Sequence, residues 1–176
     1  VGGRTRALAI DILDENILFA GGASGGMFRS TDGGQSWVMT TDPNQLHNVT
    51  CVSQDKRAGK ENIWYFGSGE LIGSSANGGE AYYGGNGIYK SVDGGLSWDS
   101  LSVTATNTNG FDSNFDFIWN IETDPSNDSV DVVYAATYGT IYRSENGGDS
   151  WVKELGGGST YYNNVEVTSN GVVYAT

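Results

Sequence analysis

Apolar and polar residues alternate along this chain in short runs of about four to six, separated by clusters of Gly, Asn, Asp and Ser. A two-residue period is that of half-buried strands, and no stretch keeps the 3.6-residue period of a helix. The runs come in sets. "RALAIDILDENILFAGG" leads into "GGMFRS", "VTCVSQDKRAGKENIWYFGSG" into "NGIYKS", and "IWNIETDPSNDSVDVVYAAT" into "GTIYRS". Each set predicts four strands. Strand A lies near 6–11, 48–53 and 118–123, B near 16–21, 62–67 and 131–137, C near 26–30, 87–91 and 140–144, and D near 36–40, 97–101 and 150–155. A fourth set, "NNVEVTSNGVVYAT", reaches residue 176 with its A and B runs alone.

Between C and D each set repeats one turn: "STDGGQSW" at 30–37, "SVDGGLSW" at 91–98 and "SENGGDSW" at 144–151. Paired glycines supply the positive φ of a tight hairpin, and the acidic or amide side chain accepts hydrogen bonds from turn amides that lack a ladder partner. The tryptophan then opens strand D and is expected to cover the sheet that follows. Repeats of about 40 to 60 residues with four strands each are propeller blades. The expected fold is therefore all-β, a β-propeller segment of four-stranded antiparallel blades: three blades plus the first half of a fourth, part of a larger ring. Blade one takes about residues 4–41, blade two about 47–102, blade three about 117–156 and the half blade about 162–176. Such a segment leaves open edges, so the remaining blades are expected from the same protein or from an assembly partner.

The pattern Ser-x-Asp-x-Gly-x-x-Trp resembles the Asp-box, or BNR repeat, of sialidases, sortilin-type propellers, family 74 xyloglucanases and many secreted bacterial propellers. The resemblance implies structural roles for Ser30, Asp32, Gly34 and Trp37, for Ser91, Asp93, Gly95 and Trp98, and for Ser144, Asn146, Gly148 and Trp151. Asn146 keeps the acceptor oxygen and drops the charge. Because the box decorates enzymes and binding proteins alike, it speaks to fold and not to activity. Two enzyme patterns are incomplete. Family 74 enzymes carry a catalytic aspartate in the first B to C turn, whose place in "AGGASGGMFR" is taken by Ala23. Sialidases begin with Arg-Ile-Pro-Ala-Leu; "RTRAL" keeps Arg4 in register and puts Arg6 in place of the proline.

With strand A innermost, the A to B and C to D turns open on one face and the B to C and D to A connections on the other. The boxes thus lie opposite the expected ligand face. That face receives the irregular sequence: the insertion "GSGELIGSSANGGEAYYGG" and the connections "TTDPNQLHN", "SVTATNTNGFDSNFDF" and "GGGSTYYNN". Candidate ligand contacts are Glu70, Glu80, Tyr82, Tyr83, His47, Phe111, Phe115, Tyr161 and Tyr162, since rings stack on sugar or peptide surfaces while polar groups bind hydroxyls. The same aromatics could equally pin long loops in place. For glycoside cleavage the acid and base would be Glu70 with Glu80, or Asp112 with Asp116, at about 5 to 9 Å, with Arg4 as the sialidase-like partner.

Composition narrows the partners. Nine basic residues against 21 acidic ones give a net charge of −12, which argues against nucleic acid and anionic membranes, and no apolar run approaches the roughly 18 residues of a membrane helix. The single Cys51 reads as a buried free thiol, and His47 alone makes no metal site. No cofactor is expected; calcium at the turns "DILDEN" and "DPSNDS" is the one alternative, without the contiguous calcium-loop pattern. Arg29, Lys90 and Arg143 recur one residue before each box serine, which suggests a blade-level role. The preferred expectation is a non-catalytic module, extracellular or on a bacterial cell surface, that binds glycan or protein through ligand-face aromatics. The alternative is a glycoside hydrolase with catalytic residues partly outside this chain.

Overall fold

The computed structural model describes residues 4–46, 48–73, 81–108, 110–157 and 164–176, with the backbone alone at 72, 73, 81 and 82. His47, Glu80, Tyr161, Tyr162 and the Tyr82 side chain lie outside the described residues. Strands β1 (Thr5–Ile10), β2 (Leu18–Gly22), β3 (Gly26–Ser30) and β4 (Val38–Met39) form one antiparallel sheet in chain order. The second sheet begins with β5 (Val49–Gln54) and β6 (Trp64–Ser68); an inserted hairpin, β7 (Glu70–Gly73) with β8 (Ala81–Tyr83), precedes β9 (Ile88–Ser91) and β10 (Asp99–Ser100), which complete it. Strands β11 (Ile118–Thr123), β12 (Val133–Thr137), β13 (Thr140–Ser144) and β14 (Val152–Gly156) make the third, and β15 (Val165–Val167) pairs with β16 (Val173–Ala175). These are three blades and half of a fourth, an open segment of a β-propeller.

Two expectations change. The long insertion contains a hairpin of its own rather than a plain loop. Strand D contracts to two residues in blades one and two, because the box turn holds the chain in its own hydrogen bonds up to the tryptophan. In the first box Ser30 Oγ donates to Asp32 Oδ1 at 2.7 Å and accepts from the Gly34 amide at 2.9 Å, while Asp32 accepts from the Ser36 amide at 2.9 Å and hydroxyl at 2.6 Å. Bonds from the Ser36 hydroxyl and amide, then from Ser30, pull the Asp32 carboxyl down to about 2. Asn146 repeats the arrangement without charge, accepting from the Ser150 amide at 2.9 Å.

Blade packs on blade through three cores. The first joins Ala7, Phe19 and Met27 to Val49, Trp64, Phe66, Tyr89 and Trp98. The second joins Cys51, Tyr65 and Ile88 to Ile118, Ile121, Val133 and Ala135, with Phe115 closing it. The third sets Ala136 and Ile141 against Val165. At the centre of each contact a branched residue of the inner strand enters a notch where the previous blade lacks a side chain or has a methyl: Val49 faces Gly21, Ile118 faces Gly67, and Val165 packs with Ala136. A Cβ on Gly67 would fall 2.5 Å from Ile118 Cγ2. Cys51 lies in this contact, and burial pushes its thiol up to about 12.

The box tryptophan covers the preceding blade, not the following one. Trp98 meets Phe19 edge-on at 6.2 Å, and its indole N–H donates to Thr40 Oγ1 at 2.9 Å; both partners belong to blade one. Side-chain alternation explains the direction. Asp99 pairs with Lys90, and Lys90 points forward, donating to the Gly147 carbonyl at 2.9 Å. Trp98, one residue before Asp99, therefore points back. Arg29 makes the same forward bond to the Gly94 carbonyl at 3.0 Å, so the recurring base clamps the next blade's box. Trp37, with no described sheet before it, stays 38% exposed.

Replacing Gly67 by Val is expected to lower the unfolding free energy of the intact protein by about 2–3 kcal/mol in urea titrations. Gly110→Ala, where a Cβ meets nothing within 4 Å, is expected to stay within about 0.5 kcal/mol. A second expectation concerns Glu122, whose carboxyl is raised to about 7 from the ordinary 4.5, chiefly by burial and against the pull of Lys56. The folded state then holds a proton that the unfolded state has released. Stability should fall as pH rises from 4.5 to about 7, and Glu122→Gln should flatten that decline in thermal melts.

Candidate functional site

Three connections on the face opposite the boxes enclose a cavity of about 510 Å³. One wall is residues 44–46, between blades one and two; another is 84–86, where the inserted hairpin returns; the third is 107, 108 and 110, between blades two and three, with Tyr89 and Ser100 from the second sheet.

Each wall is built by local hydrogen bonding. The Asp42 carboxylate accepts from the Asn44 amide at 2.8 Å and the Asn44 side chain at 2.9 Å, while the Asp42 amide donates to Gln45 Oε1 at 3.0 Å. Gln45 reaches across to the Trp98 carbonyl. In the second wall the Gly85 amide donates to the Asp116 carbonyl at 2.9 Å and the Asn86 amide to Ser68 Oγ at 2.8 Å. The second and third walls are clasped by a reciprocal pair: Asn107 N–H donates to Asn86 Oδ1 at 2.9 Å, and Asn86 Nδ2 donates to Asn107 Oδ1 at 3.0 Å. Asn107 has φ of 58°, the sole positive value at a described non-glycine residue. Asparagine tolerates that region better than most residues, and such backbone is held only where its surroundings over-determine it.

Among the described residues no charged side chain lines the cavity, although the chain carries −12 overall. The carboxylates of Asp42 and Asp112 are exposed and bond to residues of the walls. Asp112 accepts from Thr108 Oγ1 at 2.7 Å, and that bond, with a second from Thr106, holds its carboxyl below the usual range. Burial raises the Tyr89 phenol, so it stays neutral. The described lining is side-chain amides, hydroxyls and glycine backbone with Leu46 as its aliphatic member; amides and hydroxyls both donate and accept hydrogen bonds.

The expected site residues that the structure describes do not line this cavity. Glu70 is wholly buried and ion-paired with Arg4 and with Arg6, the latter at 3.0 Å, so it is closed to a substrate. Asp116 is 2% exposed and caps the short 3-10 helix Asn114–Asp116, accepting from the Ser113 amide at 2.8 Å and the Asp112 amide at 2.9 Å. Those bonds occupy the group proposed as acid or base. Phe115 belongs to the second core, stacked on Tyr142 at 4.6 Å, because a ring entering between blades gains more burial than one left on the face. Phe111 is exposed yet rests on Tyr138 at 4.8 Å and Phe117 at 5.5 Å. Tyr83 is exposed and pairs in register with Glu70. None of these four ligand candidates lines the cavity, but it begins one residue away from several: Leu46 precedes His47, Gly84 follows Tyr83, and Gly110 precedes Phe111. The lining residues that the sequence reading did not single out are Asn44, Gln45, Asn86, Asn107 and Thr108. For all but Asn86 the signal was the density of amides and hydroxyls in "TTDPNQLHN" and "SVTATNTNG".

No family model matches the chain, and no curated protein matches it. Solved structures do. An ancestral GH74 enzyme aligns with a TM-score of 0.69 at 24% identity, over 98% of this chain and 22% of its own. An auxiliary nutrient binding protein from Bacteroides thetaiotaomicron aligns at 0.63 with 14% identity, over 99% of this chain and 36% of its own. YCF48 bound to D1 peptide aligns at 0.59 with 16% identity, over 98% of this chain and 47% of its own. The likeness at these identities is one of fold. This chain spans less than half the length of each.

Proposed function

We propose that this chain is a non-catalytic binding module of an extracellular or cell-surface protein, and that it holds an uncharged, hydroxyl-rich glycan in the cavity between the 44–46, 84–86 and 107–110 walls. The observation that carries the reading is a described lining rich in amides and hydroxyls, with no charged side chain among the described residues, in a chain of net −12. The exposed carboxylates of Asp42 and Asp112 accept from Asn44 and Thr108 of the lining. Cleavage of a glycosidic bond would instead need two accessible carboxyls about 5–9 Å apart, and Glu70 and Asp116 are spent on an ion pair and a helix cap. The nutrient binding protein supports a ligand-holding role by analogy of fold alone. No helix among the described residues is long and apolar enough to cross a membrane.

Calorimetric titration of the full-length protein with cellohexaose, mannohexaose and laminarihexaose tests the reading. At least one should bind, and Asn86→Ala or Asn107→Ala should weaken it by about tenfold, the worth of the hydrogen bonds each amide would make to ligand hydroxyls. Binding that both variants leave unchanged, or the appearance of new reducing ends on incubation, would overturn it.

A further inference from the structure

The inner strands end on the box face, and there residues of β1, β5 and β11 line a second cavity, of about 340 Å³. That is a small-molecule volume. Its apolar wall is Leu8, Ile10 and Ile12 of blade one with Val52 of blade two, and the first three are 68%, 59% and 53% exposed. Aliphatic surface is therefore left to bury. No residue lines both this cavity and the amide-lined one on the opposite face.

The polar groups of the lining are donors or already spent. Trp64 is wholly buried, and its indole N–H has no acceptor among the described residues; buried donors are ordinarily met. Gln54 is fully used: its Oε1 accepts from the Ile12 amide at 2.9 Å, and its Nε2 donates to Asp11 Oδ2 at 2.9 Å and to the Glu61 carbonyl at 2.7 Å. Lys56 is exposed and brings an ammonium. Glu122 is half-buried, with Lys56 and Ser53 from blade two, Glu166 of β15 and the buried Cys51 thiol around it. Burial keeps its carboxyl protonated up to about 7, so below that pH Glu122 is a donor as well. Aliphatic walls with a surplus of donors leave one thing unsupplied, an acceptor.

We infer that this cavity is a second binding site that takes an aliphatic carboxylate, its chain against Leu8, Ile10, Ile12 and Val52 and its oxygens accepting from the Trp64 indole and the Lys56 ammonium. The site is independent of the glycan reading. A sugar would set hydroxyls against the aliphatic wall without partners, and a phosphate has no chain to cover that wall. An alkylamine would meet Lys56 as a like charge and leave the Trp64 donor unmet. The net charge of −12 works against any anion at long range. Burial of the chain is accordingly the main source of affinity, and the donors select the head group.

The test is calorimetric titration of the full-length protein with octanoate, acetate and octylamine. Octanoate is expected to bind at least about tenfold more tightly than either, since acetate lacks the chain and octylamine the acceptor. Trp64→Phe, which keeps the ring and removes the donor, should weaken octanoate by about fivefold or more. Lys56→Gln, at an exposed position that folding does not depend on, should weaken it by a similar factor even if Trp64→Phe does not fold. Octanoate is ionised from about pH 6 to about pH 8, so its affinity should fall across that interval as Glu122 loses its proton, and Glu122→Gln should remove the fall. Octanoate binding no tighter than acetate or octylamine, or unchanged in Lys56→Gln, would overturn the inference and leave the glycan reading untouched.

Discussion

Sheets of this protein meet where a side chain is missing. A strand-B position occupied by Gly21, Gly67 or Ala136 lets the branched residue at the head of the next inner strand come within contact of the backbone. Everything wider depends on that approach. Only when the inner strands are this close can Phe19 reach Trp64 at 4.3 Å, or Thr50 bridge to the Ile118 carbonyl. Burying each large side chain in these cores contributes about 1.5–3 kcal/mol, and none of it is available to a blade standing alone.

The outer rim is governed by a second contact that runs in both directions. A base on strand C reaches forward to the box of the next blade, above an aromatic ring of its own blade: Arg29 over Phe19 at 5.9 Å and Lys90 over Tyr65 at 5.5 Å. The box tryptophan reaches back. Arg57 adds a lock on the same face, pairing with Asp55 and with Asp131 of the third blade at 2.6 Å. With the box turns committed to holding blades together, the opposite face is free to vary. The inserted hairpin and the amide-lined cavity lie there.

That division of labour shapes the electrostatics as well. Asp42, Asp112 and Asp116 near the cavity accept hydrogen bonds from amides and hydroxyls of the adjoining turns and of a 3-10 helix. Among the described residues the cavity lining carries no charged side chain, despite the overall charge. A count of charges along the chain cannot show this, since it does not say where each carboxylate lies.

Much of the fold was legible because its causes are local. Alternation placed the strands, paired glycines and the box placed the hairpins, and the recurrence of Arg29, Lys90 and Arg143 marked a blade-level role before the clamp was visible. The direction of Trp98 was not legible, because the face it takes depends on parity against Lys90 across the hairpin. Phe115 and Asp116 read as ligand-face residues, yet the pull of the core and the need to cap a helical turn drew them inward. Glu70 looked like an acid and proved to be the anchor of two arginines 64 and 66 positions away. Periodicity and turn chemistry, being properties of neighbours in the chain, were determined by the sequence by itself. Which polar groups meet solvent was decided only by the tertiary structure, because burial and ion pairing are settled between residues that the chain keeps far apart.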